Sequence, residues 1–270
     1  MKALNYVFVL FLLISCQSEQ PSNTEIIASP NMDTLESIII TTMNNQMPMR
    51  PLEELINIDD SGWPFVLQWQ EEAKNKVEIL PKNGNRADSA LFESQVTTRS
   101  PMGAIIYESG GILIDNGWIR ILGAGHKRLD RELMEWNKGK SFNTIGEQPS
   151  FLLVADDAIG GFFALNNGGI NEVGIGSVFY LSPDNLEWEN LEISYSEFIV
   201  FCFSGDLELF YSGLKWNACE TDIEKMNGNQ GFHFYPYLFT LEGKDIEKVS
   251  KKVIPIQEIW EEKMLLIHDL

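Results

Sequence analysis

The chain has 270 residues, 44% of them hydrophobic, seven tryptophans and a formal net charge of −19. That much apolar material fills the core of one globular domain. The charge argues against nucleic acid as a ligand, because a phosphate backbone repels an acidic surface, and it suits a basic protein partner.

Lys2 precedes an unbroken apolar run from Tyr6 to Ile14, and small Ser15 stands just before Cys16. That order is the layout of a secretory signal, and the run is far short of the ~20 residues a membrane-spanning helix needs. Leu13-Ile14-Ser15-Cys16 resembles the lipobox of bacterial lipoproteins. The resemblance implies cleavage before Cys16 and acylation of its thiol. The expected organisation is a signal peptide over residues 1–15, a polar, proline-containing tether over 16–33, and a single α+β domain over 34–270. Gln17 stands where a retention signal for the inner membrane often carries Asp, which by resemblance favours the outer membrane in a cell that has one; the expected address is the bacterial cell envelope, lipid-anchored at the outer membrane or a periplasmic face. Residues 1–15 carry Lys2 and no acid, so their loss takes the charge to −20.

In chain order, a helix is predicted from Gly62 to Lys76, with Asp60 or Ser61 as its cap, Pro64 in its first turn and Val66, Trp69, Ala73 and Val77 following helical spacing. Asn83 to Asp88 reads as a polar loop. A second helix starts near Ser100-Pro101 and stops at Gly110-Gly111. Asn116-Gly117 is a strong hairpin turn signal, because both central residues need positive φ. A two-residue turn pairs Leu113 with Arg120, puts Ile112, Ile114, Ile119 and Ile121 on one face, and leaves Leu113, Asp115, Trp118 and Arg120 on the other. Arg120→Ala is then expected to cost less than truncation of an isoleucine. After Gly123-Ala124-Gly125-His126, a helix is predicted over Arg128 to Asn137. Strands follow at Phe151 to Ala155 and Gly161 to Leu165, joined by a turn over Asp156 to Gly160, and at Val178 to Leu181 and Leu186 to Glu189. Ser194 and Glu197 form a capping box. Behind it Tyr195, Phe198, Ile199 and Cys202 share a stripe, which makes Cys202 a core residue rather than half of a bridge to Cys219. A short helix over Asp206 to Gly213, a strand over Phe232 to Thr240 with Pro236 at an edge or bulge, and a helix over Pro255 to His268 complete the chain. Strands joined by hairpins and flanked by helices give an α+β fold with a mostly antiparallel sheet.

Chemistry is sparsely signalled. Gly123-Ala124-Gly125 lacks the third glycine of a dinucleotide fingerprint. Ser212 and Lys215 match Ser-x-x-Lys without its companion motifs. No cofactor motif or metal-ligand spacing is evident. His126 with Asp156 or Asp157 could serve a hydrolase or small-ligand enzyme as acid and base, while turn formation explains the two aspartates equally well. Trp118, Trp188 and Trp216 could form a recognition surface, and core packing is the alternative. Candidate binding residues are therefore Trp118, Arg120, His126, Asp156, Asp157 and Trp188, with Cys16 as the lipid attachment point.

SPMGAIIYESGGILIDNGWIRILGAGH, MEWNKGKSF, FLLVADDAIGGFFALN, LEWENLEISYSEFIVFCFSGDLELFY and FYPYL resemble blocks of the uncharacterised bacterial domain family DUF2625, over roughly residues 47–260. The resemblance implies no activity. A more distant likeness is to the Smi1/Knr4-like (SUKH) α+β domains: the FLLVADDAIGGFFALN strand, a tryptophan-bearing strand at Leu186 to Glu189, and a helix from Ser194 to Phe203, in that order. Many bacterial members of that group are immunity proteins that bind toxins; most are cytoplasmic, so the expected anchor departs from the group. The acidity, the aromatic content and the lack of a catalytic constellation point to a membrane-anchored, non-catalytic protein-binding domain, with the hydrolase or small-ligand enzyme as the alternative.

Overall fold

The computed structural model describes residues 48–268; the predicted signal peptide, Cys16 and the tether lie outside the described residues. The elements are α1 (Leu52–Leu55), α2 (Trp63–Glu71), β1 (Val77–Ile79), α3 (Gly84–Ser94), α4 (Pro101–Glu108), β2 (Gly111–Ile114), β3 (Ile119–Leu122), α5 (Leu133–Asn137), β4 (Phe151–Asp157), β5 (Phe162–Asn166), β6 (Val178–Leu181), β7 (Trp188–Asn190), α6 (Tyr195–Ser204), α7 (Leu207–Phe210), α8 (Cys219–Ile223), β8 (Gln230–Tyr235), β9 (Ser250–Pro255) and α9 (Ile256–His268). Strands β1 to β7 form one open antiparallel sheet in chain order, and β8 pairs with β9 in a separate ribbon. The fold is α+β, as the sequence indicates.

The β2–β3 hairpin has the expected register, with Ile112 opposite Ile121, Leu113 opposite Arg120 and Ile114 opposite Ile119. The turn is longer than the expected two-residue turn: Asp115 (φ 45°), Asn116 (φ 61°) and Gly117 (φ 96°) all take positive φ in a 3-10 turn, Trp118 is helical, and Asp115, whose carboxylate accepts from the Lys76 amide, is not a ladder partner of Trp118. The capping box is present: Ser194 Oγ accepts from the Glu197 amide, and the Glu197 carboxylate accepts from the Ser194 amide. It starts a helix that buries Tyr195, Phe198, Ile199 and Cys202. Cys202 and Cys219 are both free and buried.

Helices cover both faces of the sheet. Phe162 and Phe163 are consecutive in β5 and so point to opposite faces. Phe163 meets Phe198 of α6 at 4.9 Å, while Phe162 meets Trp260 of α9 edge-on at 5.0 Å. This corrects the amphipathic reading of the hairpin. Arg120, expected to be the cheaper residue to truncate, is 1% exposed, and Leu113 and Trp118 are equally sealed.

Several boundaries also differ. The helix expected to reach Lys76 ends at Glu71, and Val77 opens strand β1 instead. The strand expected over Leu186 to Glu189 is Trp188–Asn190, and the helix expected over Asp206 to Gly213 is Leu207–Phe210. The polar stretch Asn83 to Asp88 opens helix α3, which buries Ala87, Ala90 and Leu91 while its polar residues line the wet side. The helix expected from Arg128 is reduced to Leu133–Asn137, because Glu132 caps the Met134 and Glu135 amides and the preceding chain closes a His126–Leu129 turn. Asp156 and Asp157 end strand β4 rather than forming the turn. The strand expected over Phe232 to Thr240 is Gln230–Tyr235, with Pro236 just past its end, where its missing N–H removes no ladder bond.

Candidate functional site

Asp156 and Asp157 are both 0% exposed and face opposite sides of the sheet. Asp157 shares its face with α6 and α7. Its Oδ2 accepts from the hydroxyls of Tyr180 (2.7 Å) and Tyr211 (3.1 Å), and its Oδ1 from the amides of Gly161 (2.6 Å) and Ile159 (3.1 Å). Desolvation pushes its carboxyl above the usual range; the Tyr180 bond opposes the shift. Burial, reinforced by Asp157, pushes both tyrosines well up, so they remain donors.

Asp156 is held by cations instead. Arg120, its cross-strand partner, reaches Oδ1 through Nε at 2.6 Å and Nη2 at 2.5 Å. Arg131 reaches Oδ2 through Nη1 and donates from Nη2 to the Gly228 carbonyl at 2.7 Å. Arg131 is 10% exposed, and its guanidinium carbon sits 4.6 Å from the centre of the Trp136 ring. One carboxylate thus serves two buried guanidiniums.

From Arg131 the cluster opens outward. Arg86, Asp130, Arg131, Glu135, Trp136, Lys140, Asn229 and Gln257 line an open cleft of about 590 Å³. Lys140 Nζ lies 3.9 Å from the Trp136 ring and donates to the Trp136 carbonyl at 2.6 Å. Desolvation, then Arg131, bring the Lys140 ammonium down to about 8. On the other side of Arg120, a small cleft of about 80 Å³ is lined by Asn116, Arg128, Asn227 and Gly228.

Lys263 of α9 is 7% exposed and donates to the carbonyls of Ser182 (2.7 Å) and Gly160 (3.3 Å). Desolvation brings it down to about 7, against the pull of Asp157 and Asp184. It borders a cavity of about 40 Å³, where Glu262 accepts from Tyr237 (2.6 Å) and pairs with His233 (2.8 Å).

Of the residues singled out from sequence, Arg120 and Asp156 meet, and Asp157 lies behind them on the other face. His126 is not with them: its Nδ1 accepts from the Arg128 amide at 3.3 Å, and the four donors to Asp157 and the two guanidiniums on Asp156 leave no role for it there. Trp118 and Trp216 are buried against each other at 6.3 Å and form no surface; Trp188 is half-buried against Phe151. Lys215 pairs with Glu208, not with Ser212. Sequence reasoning missed Arg131, Lys140, Tyr180, Tyr211 and Lys263. The unbroken apolar strands FFAL and VFYL were the available signal, since such runs mark a sheet buried on both faces.

Among the described residues no helix is long and apolar enough to cross a membrane, and no group of three or more His, Cys, Asp or Glu is placed to hold a metal ion.

An open seven-stranded antiparallel sheet, covered by helices on both faces and with a few charged side chains buried against it, places the described residues in the α+β class. The chain belongs to the family described as "Protein of unknown function DUF2625", whose model matches residues 52–259. It is 43% identical over 213 residues to the uncharacterised protein YbfG of Escherichia coli (strain K12), covering 79% of this chain and 95% of that one. It is 47% identical over 209 residues to an uncharacterised protein of Haemophilus influenzae, covering 77% and 91% respectively. No solved structure matches the chain.

Proposed function

We propose that the chain is tethered to the bacterial envelope by a lipid on Cys16 and that its domain binds a basic protein surface without catalysis. The observation that carries this reading is the loop between β5 and β6. The buried Asn166 side chain builds it from inside, donating to the Asn171 carbonyl (2.7 Å) and accepting from the amides of Gly168 (2.9 Å) and Ile170 (3.2 Å). The loop so fixed presents Val173 (76% exposed) and Ile175 (64%) to solvent. Its Gly174 packs against Asn190 of edge strand β7. Exposed Glu172, Glu187, Glu189 and Glu192 lie on the loop and on β7 with its flanks. A preordered apolar tip loses little entropy on binding, and an acidic rim selects a cationic partner. The net charge of −19 adds long-range steering.

The Smi1/Knr4-like likeness and an immunity-type role are the finer form of this proposal. The order β4–β5 hairpin, tryptophan-bearing β7, capped helix α6 supports it, and a cationic toxin is the corresponding partner.

The native lipoprotein is used to capture partners from detergent-solubilised envelopes, and association is timed against salt. Association slowing by about tenfold or more between roughly 50 and 500 mM salt, together with weaker binding by Val173→Ser and Ile175→Ser, is expected. Salt-insensitive association that ignores both substitutions contradicts the proposal. For the anchor, Cys16→Ala moves the protein from the detergent to the aqueous phase of a Triton X-114 partition; unchanged partitioning contradicts lipidation.

A further inference from the structure

We propose that the cleft lined by Arg86, Arg131, Trp136, Lys140, Asn229 and Gln257 is a binding site for a small oxyanion, a phosphate or phosphomonoester group. The first ground is charge. The chain carries 39 acidic residues against 20 Lys and Arg, yet this cleft is lined by three cations and two acids, Asp130 and Glu135. Asp130 is already committed to Arg86, through Nη1 at 2.5 Å and its backbone carbonyl to Nη2 at 2.8 Å. Behind the wall, Asp156 is the one carboxylate among the described residues in contact with both Arg120 and Arg131. A buried surplus of positive charge is costly, and an anion bound in the larger of the two clefts that reach this pair of guanidiniums offsets it.

The second ground is unused donors. Among the described residues Arg131 Nε, buried on a side chain nine-tenths sealed, has no hydrogen-bond partner. Lys140 spends one of its three N–H groups on the Trp136 carbonyl. Asn229 and Gln257 add amide groups to the same wall.

The third ground is preorganisation. Both cations lean on the Trp136 ring, Arg131 at 4.6 Å and Lys140 at 3.9 Å, and Trp136 itself is 7% exposed. The ring holds the two positive groups in place, so an arriving anion orders little. Desolvation first, and Arg131 second, bring the Lys140 ammonium down to about 8; an anion between the two cations offsets the Arg131 repulsion. Planar guanidinium and flexible ammonium together match the tetrahedral oxygens of a phosphate.

The test is calorimetric titration of the full chain in nonionic detergent at about 150 mM sodium chloride, with inorganic phosphate as probe and lysophosphatidic acid in the same micelles as a second arm. Arg131 also stabilises the fold, so the variants are Lys140→Gln and Arg86→Gln on the cleft wall. Phosphate binding at millimolar affinity or better, weakened about tenfold by either variant with the unfolding midpoint retained, supports the site. Binding of lysophosphatidic acid alone, with the same dependence on the variants, supports it with a lipid headgroup as the source. No binding of either probe up to about 10 mM, or binding indifferent to both variants, overturns it.

Discussion

Asp156 and Asp157 are neighbours in one strand, equally buried, and the protein accommodates them in opposite ways. Asp157 takes four neutral donors, two tyrosine hydroxyls and two amides, and its carboxyl rises above its usual range. Asp156 takes two guanidiniums. The first arrangement is self-contained and ends at the core. The second leaves one positive charge over, and that charge lies beside a cleft. The difference shows how a sheet covered on both faces separates a purely structural carboxylate from one whose surroundings can recognise a ligand.

The comparison breaks most readily at Asp156. Asp156→Asn removes the counter-charge of two buried cations and should cost about 3–5 kcal/mol, read as a shift of the urea midpoint at neutral pH. A cost below about 1 kcal/mol would mean the guanidiniums find water. On the Asp157 face, Ile119→Ala deletes a fully buried side chain opposite Ile114 and should cost about 2–5 kcal/mol in the same assay.

The pH dependence sharpens the picture next. Lys263 is brought down to about 7 in the folded state by desolvation, from an ordinary value of 10.5. Between those values the unfolded chain holds the proton and the folded chain does not. Stability therefore rises with pH across that window, by about 2 kcal/mol from pH 7 to 9. Lys140, brought down to about 8, adds in the same direction. Urea midpoints at the two pH values measure the rise, and Lys263→Met should remove the larger part of it, leaving the smaller Lys140 contribution. The smallest expected effect is at the loop tip: Val173→Ser should change stability by less than about 0.5 kcal/mol, because Val173 is 76% exposed.

The sequence was informative where two independent signals demanded one answer. The β2–β3 register followed from both the Asn116-Gly117 turn and the isoleucine alternation, and α6 from both its capping box and its stripe. It was misleading at Arg120, because an arginine alternating with isoleucines looks like the wet side of a strand unless something is known to cover it. The residues beside it, Arg131, Ile223, Met226 and Gly228, come from later in the chain, and no local pattern ties Arg131 to Asp156 across 25 residues. Helix α3 hid behind its polar face, since only Ala87, Ala90 and Leu91 mark its dry side. The tyrosines that hold Asp157 lie 23 and 54 residues away and read as ordinary core aromatics.

The most direct test is a pair of double-mutant cycles by chemical unfolding at neutral pH, Arg120→Met with Asp156→Asn and Tyr180→Phe with Asp157→Asn. An internal ion pair predicts a coupling of about 3 kcal/mol for the first cycle, and a neutral hydrogen bond about 1 kcal/mol for the second. Equal couplings, or a larger one between Tyr180 and Asp157, would contradict the division of labour between the two aspartates.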